Sequence, residues 1–419
     1  MAEAFKFIHA SDLNLDQPMK GIVELPAHLK TTLANAPYDS ATRIFDLAIA
    51  ERVDFVLLAG NLLDIELGGP RASAFLLSQF ERLLDKEIEV FWCAGEVDHP
   101  DRWPSSIELP ENVTIFGSSV VEDVSFEKGE SVVATIYGVG YDPKRVKQSE
   151  LITPHNDGFS IALAHGEFDA ATLSAPGIQY WALGGRHKAT KLDKTGSVLV
   201  YPGTHQGRTP KQSGPHGCYL CRVDSSEKVR AQFVETGTVR WAPQKVAAAE
   251  NVTETELKKI LGERARKIAS DTADQVVLAS WYLTTTGEFN PGLRNSELNK
   301  RMTDWLRDEF GRGDNIVWTT KLTIEPPNNL PASWYEEDTI LGEYLRAIGR
   351  YQSDDSLNLT LHEYMPEGTH SDALNGLGRV VKERRTDVLR KAALLGVEYL
   401  GAHKLIVDEI NALETMETT

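Results

Sequence analysis

The sequence predicts an α/β layered sandwich, followed by a small α+β unit and a helical tail. Three observations predict it. Amphipathic helical stretches and short apolar strands alternate over the first hundred or so residues. From about residue 113 the helices thin out and strands dominate. Five strands then end alike, at FIHASDLNLD (7–16), VLLAGNLLD (56–64), FWCAGEVDHP (91–100), IALAHGEFD (161–169) and YWALGGRHK (180–188). Each is an apolar run breaking into Gly, Asp, Asn, His or Glu. A buried strand followed by such a loop delivers polar groups to the carboxyl edge of a sheet, where α/β proteins place their chemistry.

Taken in order, 39–51 puts Ala41, Ile44, Phe45, Ala48 and Ile49 on one helical face, and 71–86 does so with Leu76, Leu77, Phe80, Leu83 and Leu84. Each helix leads into a strand, DFVLLAG and EVFWCAG. VTIFG, SVVATIYGVG, FSIALAHG, YWALGG, SVLVYPG, GCYLCRV and VRAQFVE follow as strands. The stretch WAPQKVAAAENVTET (241–255) reads as a boundary. After it, VVLASWYLTTTG and NIVWTTKLTIE read as strands and SELNKRMTDWLRDEF as an amphipathic helix. EPPNNLPAS (325–333) is a Pro-rich break. In the tail, Leu377, Val381, Val388, Ala392, Leu395 and Tyr399 fall on a near-heptad stripe beside the basic run RVVKERRTDVLRK. The expected domains are 1–245, 250–332 and 335–419.

At 419 residues, with 41% hydrophobic and 25% charged residues, the composition is globular. It contains no apolar run of about 18 residues, which argues against a membrane span. MAEAFKFIHA lacks signal-peptide features, so a cytoplasmic location is the expectation. Cys218 and Cys221 are three apart on one strand and face opposite sides, which disfavours zinc and reads as buried reduced thiols. The net charge of −17 argues against nucleic-acid binding by the whole surface. Locally the balance reverses: Arg186, Lys188, Lys191, Lys194, Arg208 and Lys211 stand against Asp193 alone, beside the last of the five strand ends. The stretch reads either as a DNA-binding patch or as a solvated loop face.

The strand ends together resemble the calcineurin-like metallophosphoesterases, and more closely the SbcD-like and YhaO-like DNA repair exonucleases. That family's pattern is DxH, GDxxD, GNHD, H and GHxH at successive strand ends. The corresponding runs here are Asp12-Leu13-Asn14, Gly60-Asn61-Leu62-Leu63-Asp64, Gly95-Glu96-Val97-Asp98, His165 and Gly184-Gly185-Arg186-His187. The loop YPGTHQGRTPKQSGPHGCYL (201–220) resembles the family's YPGS-type loop. The likeness covers about the first 240 residues. It implies a four-layer sandwich of two sheets flanked by helices, a small α+β capping domain and a helical tail that binds an SMC-like, coiled-coil ATPase. It also implies DNA as substrate, a homodimer, and two Mn²⁺ ions that activate water and stabilise the oxyanions of an in-line displacement. One ion would take Asp12, Asn14, Asn61 and His187. The other would take Asn61, Glu96, His165 and Gly185.

The departures from the family pattern are chemical. Asn14 replaces an imidazole ligand, Asn61 the bridging carboxylate and Gly185 a histidine. Val97 replaces the histidine that assists the leaving group, a loss typically costing about 10²- to 10⁴-fold in rate. Glu96 returns one carboxylate where the family has Asn, and His99 is the remaining imidazole near position 97. Asp12, Glu96, His165 and His187 would hold a single ion. Equally, Asp12 and Asn14 read as turn residues, and His165 and His187 as core histidines. Asp16, Asp64, Asp98 and Asp169 read as loop-bracing groups. The expected function is that of a nuclease-fold subunit acting on or binding DNA, its hydrolysis weak or absent. The alternative is an active Mn²⁺-dependent exonuclease with a rearranged site.

Overall fold

Alternation at period two is realised literally along the first strand. In the computed structural model β1 (Phe5–Ala10) turns Ile8 and Ala10 to one side and Phe5 and Phe7 to the other. The structure describes residues 3–66, 69–103, 107–143, 152–154, 158–168, 173, 177–194, 196–249, 252–272, 274–286, 296–325, 330, 332–354, 356–357, 359 and 382–400. Leu377, Val381, Asp169 and much of the Pro-rich break lie outside them.

The chain divides into two compact units. The first comprises Met1–Gln244, Leu261–Trp281 and Asp304–Lys321, and the second Lys245–Ile260, Tyr282–Thr303 and Leu322–Thr419. In the first, helix α1 (Lys30–Glu51) joins β1 to β2 (Phe55–Ala59), and α2 (Gly69–Leu84) joins β2 to β3 (Glu89–Cys93). These strands pair in parallel, as helical crossovers require, and β4 (Val113–Phe116) adds to β3. On the other side of β1, β11 (Gly217–Val223) and β12 (Val229–Glu235) pair antiparallel, completing a six-stranded sheet ordered β12-β11-β1-β2-β3-β4.

A second six-stranded sheet runs β5-β6-β7-β8-β10-β9. Its strands are β5 (Glu122–Lys128), β6 (Ser131–Val139), β7 (Ser160–His165), β8 (Tyr180–Gly184), β9 (Thr190–Lys194) and β10 (Ser197–Tyr201). Ile44, Phe45, Leu76 and Phe80 of the helices pack on Ile8, Val56, Leu58 and Trp92. Between the sheets, Phe7 stacks on Phe55 with ring centroids 5.2 Å apart and meets Tyr180 edge-on at 5.0 Å. The outer face of the second sheet, with Ala162, Trp181 and Leu199, is covered by Ile152, Phe168, Leu173 and Ile178 from its connections. The predicted layered sandwich is therefore the observed one.

Cys218 faces the helix-side core and Cys221 the inter-sheet core, both as free buried thiols. One difference is in α1, which starts well before residue 39 and carries Pro37 inside it. A proline removes an N–H and reads as a break. Here Leu33, Ala36, Ile44 and Ala48 bury one continuous apolar side, and that burial outweighs the lost bond.

A three-stranded sheet follows, β13 (Val239–Ala249), β14 (Val276–Thr286) and β15 (Val317–Glu325), with helices α3 (Glu254–Asp271) and α4 (Ser296–Phe310). Part of the stretch read as a boundary is thus strand. Helices α5 (Ala332–Glu336), α6 (Ile340–Ser353) and α7 (Lys382–Leu400) form the tail. Here the expected stripe holds only in part: Ala392 packs at the margin of the core, but the buried face lies to one side of the rest. Leu389, Ala393, Leu394 and Val397 of α7 pack on Leu341, Leu345 and Ile348 of α6, while Leu395 and Tyr399 are 51% and 77% exposed. Among the described residues no helix is long and apolar enough to cross a membrane.

Candidate functional site

The parallel strands β1, β2 and β3 end at one edge of the first sheet, and the parallel pair β7–β8 ends beside them. Backbone bonds tie the loops together: Asp12 N–H donates to the Gly60 carbonyl at 2.9 Å, Asn14 N–H to that of Asn61 at 2.8 Å, and Gly166 N–H to that of Gly184 at 3.0 Å. This is where the sequence expected polar groups to collect.

Asp12, Asn14 and Asn61 all have left-handed backbone, with φ of 53°, 40° and 56°. Asn and Asp tolerate this conformation best after Gly. Such backbone clusters at functional loops. The residue types that drew attention as ligands are therefore also those the turns require. Gly60 (φ 76°) is needed twice over, because a Cβ there would lie 2.6 Å from His165 Nδ1 and 2.7 Å from the Gly95 nitrogen.

Four predicted site residues form one linked cluster. Asn61 Nδ2 donates to Asp12 Oδ1 at 3.3 Å, and the Gly185 N–H donates to Asp12 Oδ2 at 3.0 Å. Asn61 Oδ1 accepts from the Glu96 N–H at 2.8 Å, while the Glu96 side chain is exposed. His165 is buried, and its Nδ1 lies 2.7 Å from the Ala59 carbonyl. A carbonyl only accepts, so Nδ1 carries a proton and donates it to this bond. Beneath the cluster is Asp98, fully buried, accepting from the N–H groups of Asn61, Gly95 and Leu62 at 3.0, 2.6 and 2.8 Å and from Trp92 Nε1 at 3.1 Å. It braces the loop, as its reading required, and Asp16 does the same by accepting from the Asp64 N–H at 2.8 Å.

Other predicted residues stand apart. Asn14 is buried and accepts from Gln17 Nε2 at 3.3 Å. His187 is exposed, and its carbonyl takes the Thr204 N–H. Val97 is half-buried. His99 Nε2 lies 2.7 Å from Ser118 Oγ, and its Nδ1 accepts from the Asp101 N–H at 3.3 Å, capping a short 3₁₀ turn. Lys188, Lys191 and Lys211 are exposed, Lys191 pairing with Asp193 at 3.3 Å. Arg186 lies over the Tyr201 ring, 4.4 Å from its centroid, and donates to the Phe168 carbonyl at 2.9 Å.

Arg208 departs from the exposed patch. It is only 4% exposed and donates to Thr204 Oγ1 at 2.9 Å and to the Leu13 carbonyl. Burial lowers even this guanidinium to about 10, against the pull of Asp16 and Asp12. Sequence reasoning also passed over the fully buried His9 and His205. Burial pushes each down to about 3, helped at His205 by the nearby Arg208 charge. Their sequence settings carry no signal of this, since both sit among ordinary strand and loop residues.

A two-metal centre needs several converging hard ligands and a carboxylate between the ions. These residues do not fit one. Among the described residues no three His, Cys, Asp or Glu side chains converge as metal ligands. Both oxygens of Asp12 already accept protein N–H groups, and position 61 offers a neutral amide.

No protein-family model matches the chain. The uncharacterized metallophosphoesterase YhaO of Bacillus subtilis (strain 168) is 32% identical over 377 residues, covering 84% of this chain and 88% of its own length. The DNA double-strand break repair protein Mre11 of Saccharolobus solfataricus is 24% identical over 216 residues, covering 48% of this chain and 54% of its own. Among solved structures, a dimetal phosphatase from Danio rerio aligns with 55% of this chain and 97% of its own at 11% identity and a TM-score of 0.34. Identity of 32% sustained over 84% of the chain, with the five strand-end motifs in order, means that this chain belongs to the calcineurin-like metallophosphoesterase family.

Proposed function

We propose that the chain is a cytoplasmic, DNA-binding member of its family in which phosphodiester hydrolysis is weak or absent. The family's chemistry relies on divalent metal ions. The observation that carries this reading is the side chain of Asn61. Where the family's pattern has a carboxylate shared by two ions, this amide bridges two protein groups, its Nδ2 donating a hydrogen bond to Asp12 Oδ1 and its Oδ1 accepting one from the Glu96 backbone N–H. Gly185, Asn14 and Val97 remove further groups from the same edge. The intact strands and the backbone bonds that tie the strand-end loops together support a retained scaffold rather than a decayed one.

In this reading DNA is held by the exposed Lys188, Lys191 and Lys211 with the braced Arg186, and Arg208 serves the fold of the loop. The similarity to Mre11, a DNA double-strand break repair protein, supports a role on DNA; an assembly with an SMC-like ATPase belongs to the same proposal, and the exposed Leu395 and Tyr399 on α7 offer apolar anchors for such a partner. A homodimer and the division into 1–245, 250–332 and 335–419 belong to the same proposal. The test is elemental analysis and calorimetry of purified protein in Mn²⁺, beside a nuclease assay. The expected result is at most one ion per chain and no cleavage. Two tightly bound ions, with cleavage abolished by Asp12→Ala, overturn it.

One observation favours a second reading, an active Mn²⁺-dependent exonuclease. Glu96 is exposed at the rim and His165 bonds to the Ala59 carbonyl through Nδ1, which leaves Nε2 outside that bond, so two ligand groups remain in place. Cleavage that follows Mn²⁺ concentration and disappears in Glu96→Ala would select it.

A further inference from the structure

Three cations stand in one row across neighbouring strands of the first sheet. Lys6 of β1 lies directly opposite Arg222 of β11, and Arg222 directly opposite Arg230 of β12. Facing residues of antiparallel strands have Cβ atoms about 4.5–5.5 Å apart, and like charges so placed repel. Glu51 offsets two of the three, accepting from Arg222 at 2.9 Å and lying 3.6 Å from Lys6, and the charge of Arg230 acts on Asp224 without a close ion pair. Arg230 has no ion pair among the described residues. Like charges so placed favour a bound counter-charge.

The row opens on a cavity of about 500 Å³, which Arg52, Lys128 and Lys228 also line. Arg52 ends α1 in left-handed backbone (φ 50°) and is exposed. The two acids in the lining already bond within the protein, Asp54 through both oxygens and Asp224 through Oδ1. Asp54 accepts from the Lys6 N–H at 2.7 Å and pairs with Lys128 at 2.6 Å. Asp224 accepts from the N–H groups of Ser226 and Lys228 at 2.9 and 3.1 Å, closing the turn between β11 and β12. Six basic side chains against two acids is a local excess of positive charge on a chain whose net charge is −17. Lys6 and Asp12 are six residues apart on an extended run, so this cavity and the candidate site are separated by about 20 Å, at opposite edges of the sheet.

We infer that this cavity binds a short chain of phosphates, as an inorganic oligophosphate or as the phosphate tail of a nucleotide. A single phosphate is too small for the row, because three adjacent strands span about 10 Å. Arginine forks suit phosphate oxygens, and two of the three residues in the row are arginines. The concave shape and limited volume suit a small ligand better than a duplex.

Titration of the full chain with inorganic triphosphate, followed by calorimetry and thermal melting, tests this. The expected result is one saturable site per chain and a melting temperature that rises with triphosphate. Arg230→Gln should weaken binding at least tenfold and abolish that rise, yet melt no lower than wild type without ligand, because it removes an opposed like charge. Lys228→Glu should weaken binding without touching the row. ATP binding more tightly than triphosphate assigns the site to a nucleotide, and equal affinity assigns it to the phosphate chain alone; both support the inference. No saturable binding, or binding unchanged in both variants, overturns it. So does a DNA duplex that depends on Arg230 where triphosphate does not bind.

Discussion

His165, at the end of one sheet, donates through Nδ1 to the carbonyl of Ala59, at the end of the other, at 2.7 Å. The bond joins the two layers at the candidate site and places a proton on Nδ1. It also gives His165 a structural role whether or not an ion binds. His165→Ala would leave a buried carbonyl without its donor. The expected loss is about 1–3 kcal/mol, read as a lower urea midpoint at unchanged slope. Equal midpoints would mean that water replaces the imidazole at no cost.

Asn61 and Asp12 make a contrasting pair, a neutral donor beside a carboxylate at 3.3 Å. Asn61→Asp puts two negative charges at one edge. Without metal the variant should be less stable by about 1–2 kcal/mol. Mn²⁺ should raise its melting temperature more than that of wild type, because a cation then relieves the repulsion. Identical melting curves for both proteins, with and without Mn²⁺, would contradict the view that residue 61 governs cation binding here.

Acid should unfold this protein through its buried histidines. His9 and His205 are each pushed down to about 3 by burial, whereas an imidazole in the unfolded chain titrates near 6.5. Between those values the unfolded state binds protons that the folded state does not. Stability is therefore complete above about pH 6.5 and falls as pH drops towards 3. These two groups contribute about 2.7 kcal/mol per pH unit to the slope, and burial lowers His216 in the same sense. His9→Gln should reduce the slope by about 1.4 kcal/mol per pH unit, which denaturant titrations at several pH values would show.

Lys188 and Lys211 are exposed, whereas Arg208 is buried in the same stretch. If the stretch holds DNA, Lys188→Ala and Lys211→Ala should each reduce the slope of log affinity against log salt by about 1, without affecting stability. Arg208→Ala should instead destabilise the chain by about 1–3 kcal/mol, since it leaves the Leu13 carbonyl without this donor, while Thr204 Oγ1 keeps its bonds to the Asp12 and Gln206 carbonyls. Fluorescence anisotropy across a salt series and urea melts separate the two kinds of effect.

Much of the fold was legible because periodicity is a local property. Alternation along FKFIHA sent Phe7 into one core and Ile8 into the other, and spacing alone separated Cys218 from Cys221. The helix read at SELNKRMTDWLRDEF is α4 to the residue. The order of strand ends marked the edge where Asp12, Asn61, Glu96 and His165 meet.

What sequence could not settle depended on which distant segments pack together. Pro37 reads as a break, and only burial along the whole of α1 shows that the helix runs through it. Arg208 and Lys211 look alike in a basic run, and only the loop's path places one against the Leu13 carbonyl and the other in solvent. The stripe on α7 was displaced because the face a helix buries is chosen by its partner, here α6. The row Lys6–Arg222–Arg230 is invisible in the chain, since register between strands exists only once they pair. Composition and spacing therefore determined the elements, the layered α/β class and the location of the polar edge, and the order of the layers followed from the family resemblance. Tertiary structure decided burial, pairing and charge balance, because these are properties of contacts between segments far apart in the chain.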